Sequence, residues 1–171
     1  AYTVLFLHSP IVGHLLQKLE QEDDNLRFVR VDSDHIDKLI VKDEPQLSKL
    51  SDEQKEALKP LIENVVPKEQ YTVQLEAMDS EATPFMITQP EFMRRMKEMQ
   101  QTGGGGGMFA GGFPDMYQLV VNVNHPLVSQ ILETKTKKKQ ERLIKQSLDL
   151  ARLSQSLLKG EELTAFIQRS F

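Results

Sequence analysis

The last third of this 171-residue chain carries a helical stretch whose apolar face is too wide for a single neighbour. A helix is expected from about Lys137 to Lys159, with Gly160 placed where a C-cap glycine would end it. Stepping by about 100° per residue from Leu143 sorts its side chains. Glu141, Arg142, Lys145, Asp149, Arg152, Ser156 and Lys159 share an arc of roughly 100° that reads as hydrated. Leu143, Ile144, Leu148, Leu150, Ala151, Leu153, Leu157 and Leu158 spread over roughly 220°, about twice the stripe that packing on one domain requires. Ser147 and Ser154 lie near the middle of that arc, where small side chains allow another helix to approach.

Two arrangements accommodate such a helix. It is either the central core helix of a monomer, or it faces its own domain on one side and a partner on the other. The final helix, from Glu161, favours the second, because Leu163, Phe166, Ile167 and Phe171 have little chain around them to cover them. Two such helices from each of two subunits make a four-helix bundle. The expected dimer contacts are Leu143, Ile144, Leu150, Leu153, Leu157, Leu158, Leu163, Phe166 and Ile167.

Towards the N-terminus the pattern is β, α, β. Tyr2–Leu7 reads as a buried strand, and a helix begins at Ser9-Pro10 and carries Ile11, Val12, Leu15, Leu16 and Leu19. Arg27–Val31 alternates as a short strand. This is a piece of α/β layering that cannot bury both faces alone. A chain that opens inside a core strand is expected to be a piece of a longer protein. Ser33 caps a short helix, Pro45 interrupts, and a boundary falls near residues 42–51. Ser51 and Gln54 form a capping box, and Pro60 is expected to end or kink the helix near Leu58. Tyr71, Val73 and Leu75 alternate as a half-buried strand, Phe85–Ile87 makes a second, and Tyr117–Val123 is the clearest of all, closed by Asn124-His125-Pro126.

Between them Glu91–Gln100 forms a short helix with Phe92, Met96 and Met99 on one face and Arg94, Lys97 and Glu98 on the other. A methionine face adapts to many apolar partners. Ordinary core is the alternative, but the helix lies between Pro90 and a glycine-rich loop at 103–112, both poor at holding an element on a core. Met108, Phe109 and Phe113 add apolar groups to that loop. It is no phosphate loop: no Gly-Lys-Ser/Thr follows, and it leads into a strand.

Composition closes off other chemistries. With no cysteine the chain has no disulfide, thiolate nucleophile or thiolate metal site. The four histidines pair with no carboxylates at metal-ligand spacing, and no catalytic set assembles. An enzyme pocket at the end of the first strand would have only His8 and Ser9 to work with. A net charge of −4 gives no general reason to bind nucleic acid or anionic membrane, so the run Lys135–Lys139 with Arg142 and Lys145 reads as a solvated helix start. No apolar run approaches the roughly 20 residues that span a bilayer.

Five stretches in order resemble the C-terminal part of the ninety-kilodalton heat-shock chaperones, in the bacterial HtpG form. They are Tyr2–Leu7 with Pro10-Ile11, Leu58–Val65, Thr83–Met99, Met116–Ser129 and Glu141–Phe171. The resemblance implies an α+β fold: residues 1–41 as the end of a middle domain, 42–51 as a linker and 52–171 as a dimerisation domain whose last helices form the intersubunit bundle. It implies a cytoplasmic homodimer that assists folding and binds unfolded clients, with no nucleic acid or membrane partner. The fragment itself would be no enzyme and hold no cofactor or metal, while ATP and Mg would bind in an N-terminal domain of the parent. The client-facing side chains would be Phe92, Met93, Met96 and Met99, with Met108 and Phe109 nearby. A passive dimerisation module without client contact is the remaining alternative. The glycine loop is longer than is usual in this family, and the acidic tail of its eukaryotic members is absent.

Overall fold

The computed structural model describes residues 5–7, 9, 12–26, 28, 46–89 and 116–170. Five helices and three strands occur among them, making the fold a mixed α+β one. Helix α1 spans Val12–Glu22 and α2 Asp52–Glu63; strands β1, β2 and β3 span Tyr71–Glu76, Phe85–Thr88 and Tyr117–Asn122; helices α3, α4 and α5 span Pro126–Glu133, Lys137–Ser154 and Gly160–Ser170.

Strand β3 is the middle of the sheet, parallel to β1 and antiparallel to β2. Its sequence QLVVN suits that place, because a central strand is buried on both faces and reads as a continuous apolar run. Leu119 and Val121 face the main core with Val73, Phe85 and Ile87, while Val120 is buried on the other side. Helices α2 and α4 close the core face with Leu58, Ile62, Ile144 and Leu148, and α3 adds Val128 and Ile131. Removing each of these side chains from water contributes about 1.5–3 kcal/mol.

Helix α2 starts as its sequence requires. The Gln54 N–H donates to Ser51 Oγ at 3.3 Å, and the Ser51 N–H donates to Gln54 Oε1 at 2.9 Å. Of the two outcomes expected at Pro60, an end or a kink, the end does not occur: the helix runs on to Glu63. Leu58 and Ile62, on either side of the proline, are fully buried, and that tertiary burial offsets the missing backbone bond. Helix α3 was not foreseen. His125 is its N-cap, with Nδ1 accepting the Leu127 N–H at 3.0 Å, and Pro126 follows at N1. That Asx-like cap with proline behind it was the available signal, masked by reading His125-Pro126 only as a strand stop.

At the N-terminus the expected helix is present as α1, Val12–Glu22. Leu5, Phe6 and Leu7 belong to no strand and are 58 %, 84 % and 48 % exposed, and α1 buries no residue. A strand needs a neighbour to hydrogen-bond, and none of the described strands pairs with this segment. The remaining residues of the expected α/β layer, the helix expected at Ser33, the helix at 91–100 and the glycine loop lie outside the described residues.

Candidate functional site

The features that bear on function gather on the C-terminal helices. Helix α4 is shorter than its apolar run suggests. It ends at Ser154, with Ser156 at φ 56° in the left-handed region. The Ser156 N–H donates to Leu153 O at 3.0 Å and the Leu157 N–H to Arg152 O at 2.9 Å, the paired bonds of a Schellman stop. Leu157 and Leu158 therefore lie in the connection, and Gly160 opens α5 rather than capping α4. Sequence reading missed this because serine has a Cβ and is uncommon at a left-handed stop.

The turn folds α5 back onto α4 and changes the environment of two residues expected in water. Asp149 is only 4 % exposed. It lies 3.6 Å from Arg152 Nη1 and accepts a hydrogen bond from Arg169 Nη2 of α5. Arg152 in turn donates from Nη1 and Nη2 to the two carboxylate oxygens of Glu162 at 3.2 and 2.6 Å. Opposite charges at this range stabilise the ionised forms. The Arg152 hydrogen bond draws the Glu162 carboxyl below its ordinary range, and it raises the Arg152 guanidinium despite burial. Burial pushes the Tyr71 hydroxyl up, opposed by the neighbouring Arg152. Tyr71 also stacks on Tyr117, its register partner, with centroids 5.6 Å apart.

The nine expected dimer contacts divide into three groups. Ile144, Leu158 and Phe166 are buried within this chain. Leu143, Leu157 and Leu163 are half-buried. Leu150, Leu153 and Ile167 stay open to solvent at 51 %, 41 % and 47 %. Ser147, expected to admit a second helix, is buried and donates to Leu143 O, while the exposed Ser154 donates to Ala151 O. Phe92, Met93, Met96, Met99, Met108 and Phe109 lie outside the described residues.

Uncharged residues stand one turn either side of Leu150 and Ile167, whereas Leu153 has Asp149 one turn before it. For Leu150 on α4 they are Gln146, Ser147, Leu153 and Ser154; for Ile167 on α5 they are Leu163, Thr164 and Ser170. The basic residues at the start of α4, Lys137, Lys138, Lys139 and Arg142, are all exposed. Among the described residues no group of histidines and carboxylates is placed to hold a metal, and no helix is long and apolar enough to cross a membrane.

No protein-family profile matches the chain. Curated relatives do. It is 37 % identical over 164 residues to the chaperone protein HtpG of Porphyromonas gingivalis W83, a match covering 94 % of this chain and 23 % of that protein. It is 38 % identical over 135 residues to the chaperone protein HtpG of Bacteroides thetaiotaomicron, covering 77 % and 20 %. The corresponding protein of Bacteroides fragilis 638R is 38 % identical over 139 residues, covering 80 % and 20 %. The chain thus spans about a fifth to a quarter of the length of the relatives it matches.

Proposed function

The chain belongs to the HtpG chaperone family, and from that premise we propose that it is the region through which two copies of the whole protein join. The observation that carries this reading is the exposure of three large apolar side chains, Leu150 and Leu153 of α4 and Ile167 of α5. Two copies meeting about a two-fold axis place the same surface of each on its own counterpart. Charged side chains would repel their counterparts in that arrangement; apolar ones gain from it. Pairing α4 and α5 with their copies completes a four-helix bundle.

The methionine-bearing stretch is the client-contacting element of the same reading, with Phe92, Met96 and Met99 at its centre. Its support is the family resemblance together with the adaptability of methionine. Nucleotide and Mg binding belong, in this reading, to the parts of the relatives that this chain does not span, and the whole protein works in the cytoplasm.

Sedimentation equilibrium of the 171-residue chain at micromolar concentration tests the first half, with a dimer expected. Leu150→Glu combined with Ile167→Glu is expected to give a folded monomer, since both side chains are exposed in the single chain. An unchanged dimer in that variant overturns the assignment. For the second half, Met96→Glu is expected to weaken suppression of aggregation of an unfolded client while leaving the dimer intact. Undiminished suppression leaves a passive dimerisation module.

A further inference from the structure

We infer that the four charged side chains shared by α4 and α5 are positioning residues for the contact between copies, setting the angle at which Ile167 is presented relative to Leu150 and Leu153. The inference rests on the dimer reading above and deepens it.

Helix α5 is weakly anchored by apolar contact. Of its 11 residues only Phe166 is buried, with Leu163 half-buried. One apolar anchor holds a helix against a surface but leaves its roll and tilt free, because hydrophobic attraction has no preferred direction. The ion pairs supply the direction. Glu162 lies in the first turn of α5 and Arg169 in the last, so the helix is pinned at both ends. The attachment points are seven residues apart on α5, about 10.5 Å along its axis. On α4 they converge on Asp149 and Arg152, one turn apart. The Arg152–Glu162 contact uses two nitrogens on two oxygens, a geometry that fixes orientation as well as distance. The Arg169 guanidinium also lies 5.9 Å from the Phe166 ring centroid, tying the far clasp to the apolar anchor.

The clasp residues and the exposed apolar side chains lie close in sequence on each helix. Leu150 follows Asp149 and Leu153 follows Arg152, each turned about 100° from its charged neighbour. Ile167 is turned by the same angle from the buried Phe166. A modest roll of α5 therefore carries Ile167 out of line with the two leucines while the core beneath is undisturbed. The clasp also reaches the sheet, since the Arg152 charge opposes the upward push that burial gives the Tyr71 hydroxyl at the start of β1.

The test measures the dimer dissociation constant of the 171-residue chain beside its folded state, using sedimentation velocity over a concentration series and circular dichroism. Arg169→Met is expected to weaken the dimer by about tenfold with the helical signal retained, and Arg169→Lys to recover part of that loss. If the clasp is merely structural, Arg169→Met lowers the melting temperature while the constant, corrected for folded fraction, is unchanged; that outcome overturns the inference. Should Arg169→Met fail to fold, Glu162→Gln substitutes at an exposed side chain, and a dimer constant unchanged within about twofold in it has the same force. A wild-type chain that is monomeric at every concentration removes the dimer reading itself, a result separate from a wild-type dimer that ignores the clasp.

Discussion

The backbone N–H of Lys49 donates to Asn124 Oδ1 at 2.7 Å, across 75 residues of sequence. Asn124 Nδ2 donates to Leu47 O at 3.1 Å and to Met78 O at 3.0 Å, so one side chain joins the segment before α2, the exit of β1 and the exit of β3. Beside it the fully buried Asn122 accepts from the Met78 and Asn124 amides and donates to Asp79 O. Asparagine is suited to this junction because its amide both donates and accepts. Asn124→Ala leaves three backbone groups without that partner and is expected to destabilise the fold by about 2–3 kcal/mol in urea unfolding. Hydrogen exchange at the Lys49 amide is expected to accelerate in the same variant, and an unaltered rate would show that the bond does not hold the segment.

Ser156 occupies a left-handed backbone position that disfavours any side chain with a Cβ. Ser156→Gly is expected to raise stability by about 1 kcal/mol, read as a higher thermal midpoint. Ser156→Val is expected to lower it by at least as much, since a β-branched side chain fits that region worst. Equal midpoints for both would contradict the Schellman geometry.

Pro60 sits inside α2 without an N–H to give to the preceding turn. Pro60→Ala restores that donor and is expected to stabilise the chain by about 1 kcal/mol, after allowance for the greater freedom of alanine in the unfolded state. Chemical denaturation of the two proteins side by side checks the sign. A destabilised variant would mean that the ring itself is part of the packing between Leu58 and Ile62.

Glu162 is bound in its charged form by Arg152, so its folded-state carboxyl titrates below the ordinary value. A depressed acid contributes stability that is present above the unfolded value, about 4.3, and is lost as pH falls through the folded one. Because the side chain is 60 % exposed, solvent screening keeps the contribution small. Glu162→Gln is therefore expected to leave a shallower fall of stability with acidification below about pH 4.5, measured by thermal unfolding across a pH series. Parallel curves for wild type and variant would remove the pair from the acid response.

What the sequence determined by itself was local. The capping box at Ser51 and Gln54, the alternation of Tyr71, Val73 and Leu75, and the continuous apolar run of β3 each follow from neighbours a few residues apart, and each appears in the structure. The open leucines and isoleucine of α4 and α5 were legible too, because amphipathic periodicity records which side chains exceed what one domain can cover. The tertiary structure decided matters that depend on distant partners. Pro60 stays helical because the core takes Leu58 and Ile62 on either side of it. Asp149 leaves water because a turn at Ser156 brings Arg169, twenty residues on, into contact with it. Helical periodicity places a charge on a face; it does not say that another helix will fold across that face and supply the opposite charge. That pairing converts an arc read as solvent-facing into the clasp between α4 and α5, and with it the angle at which this chain offers its exposed apolar side chains.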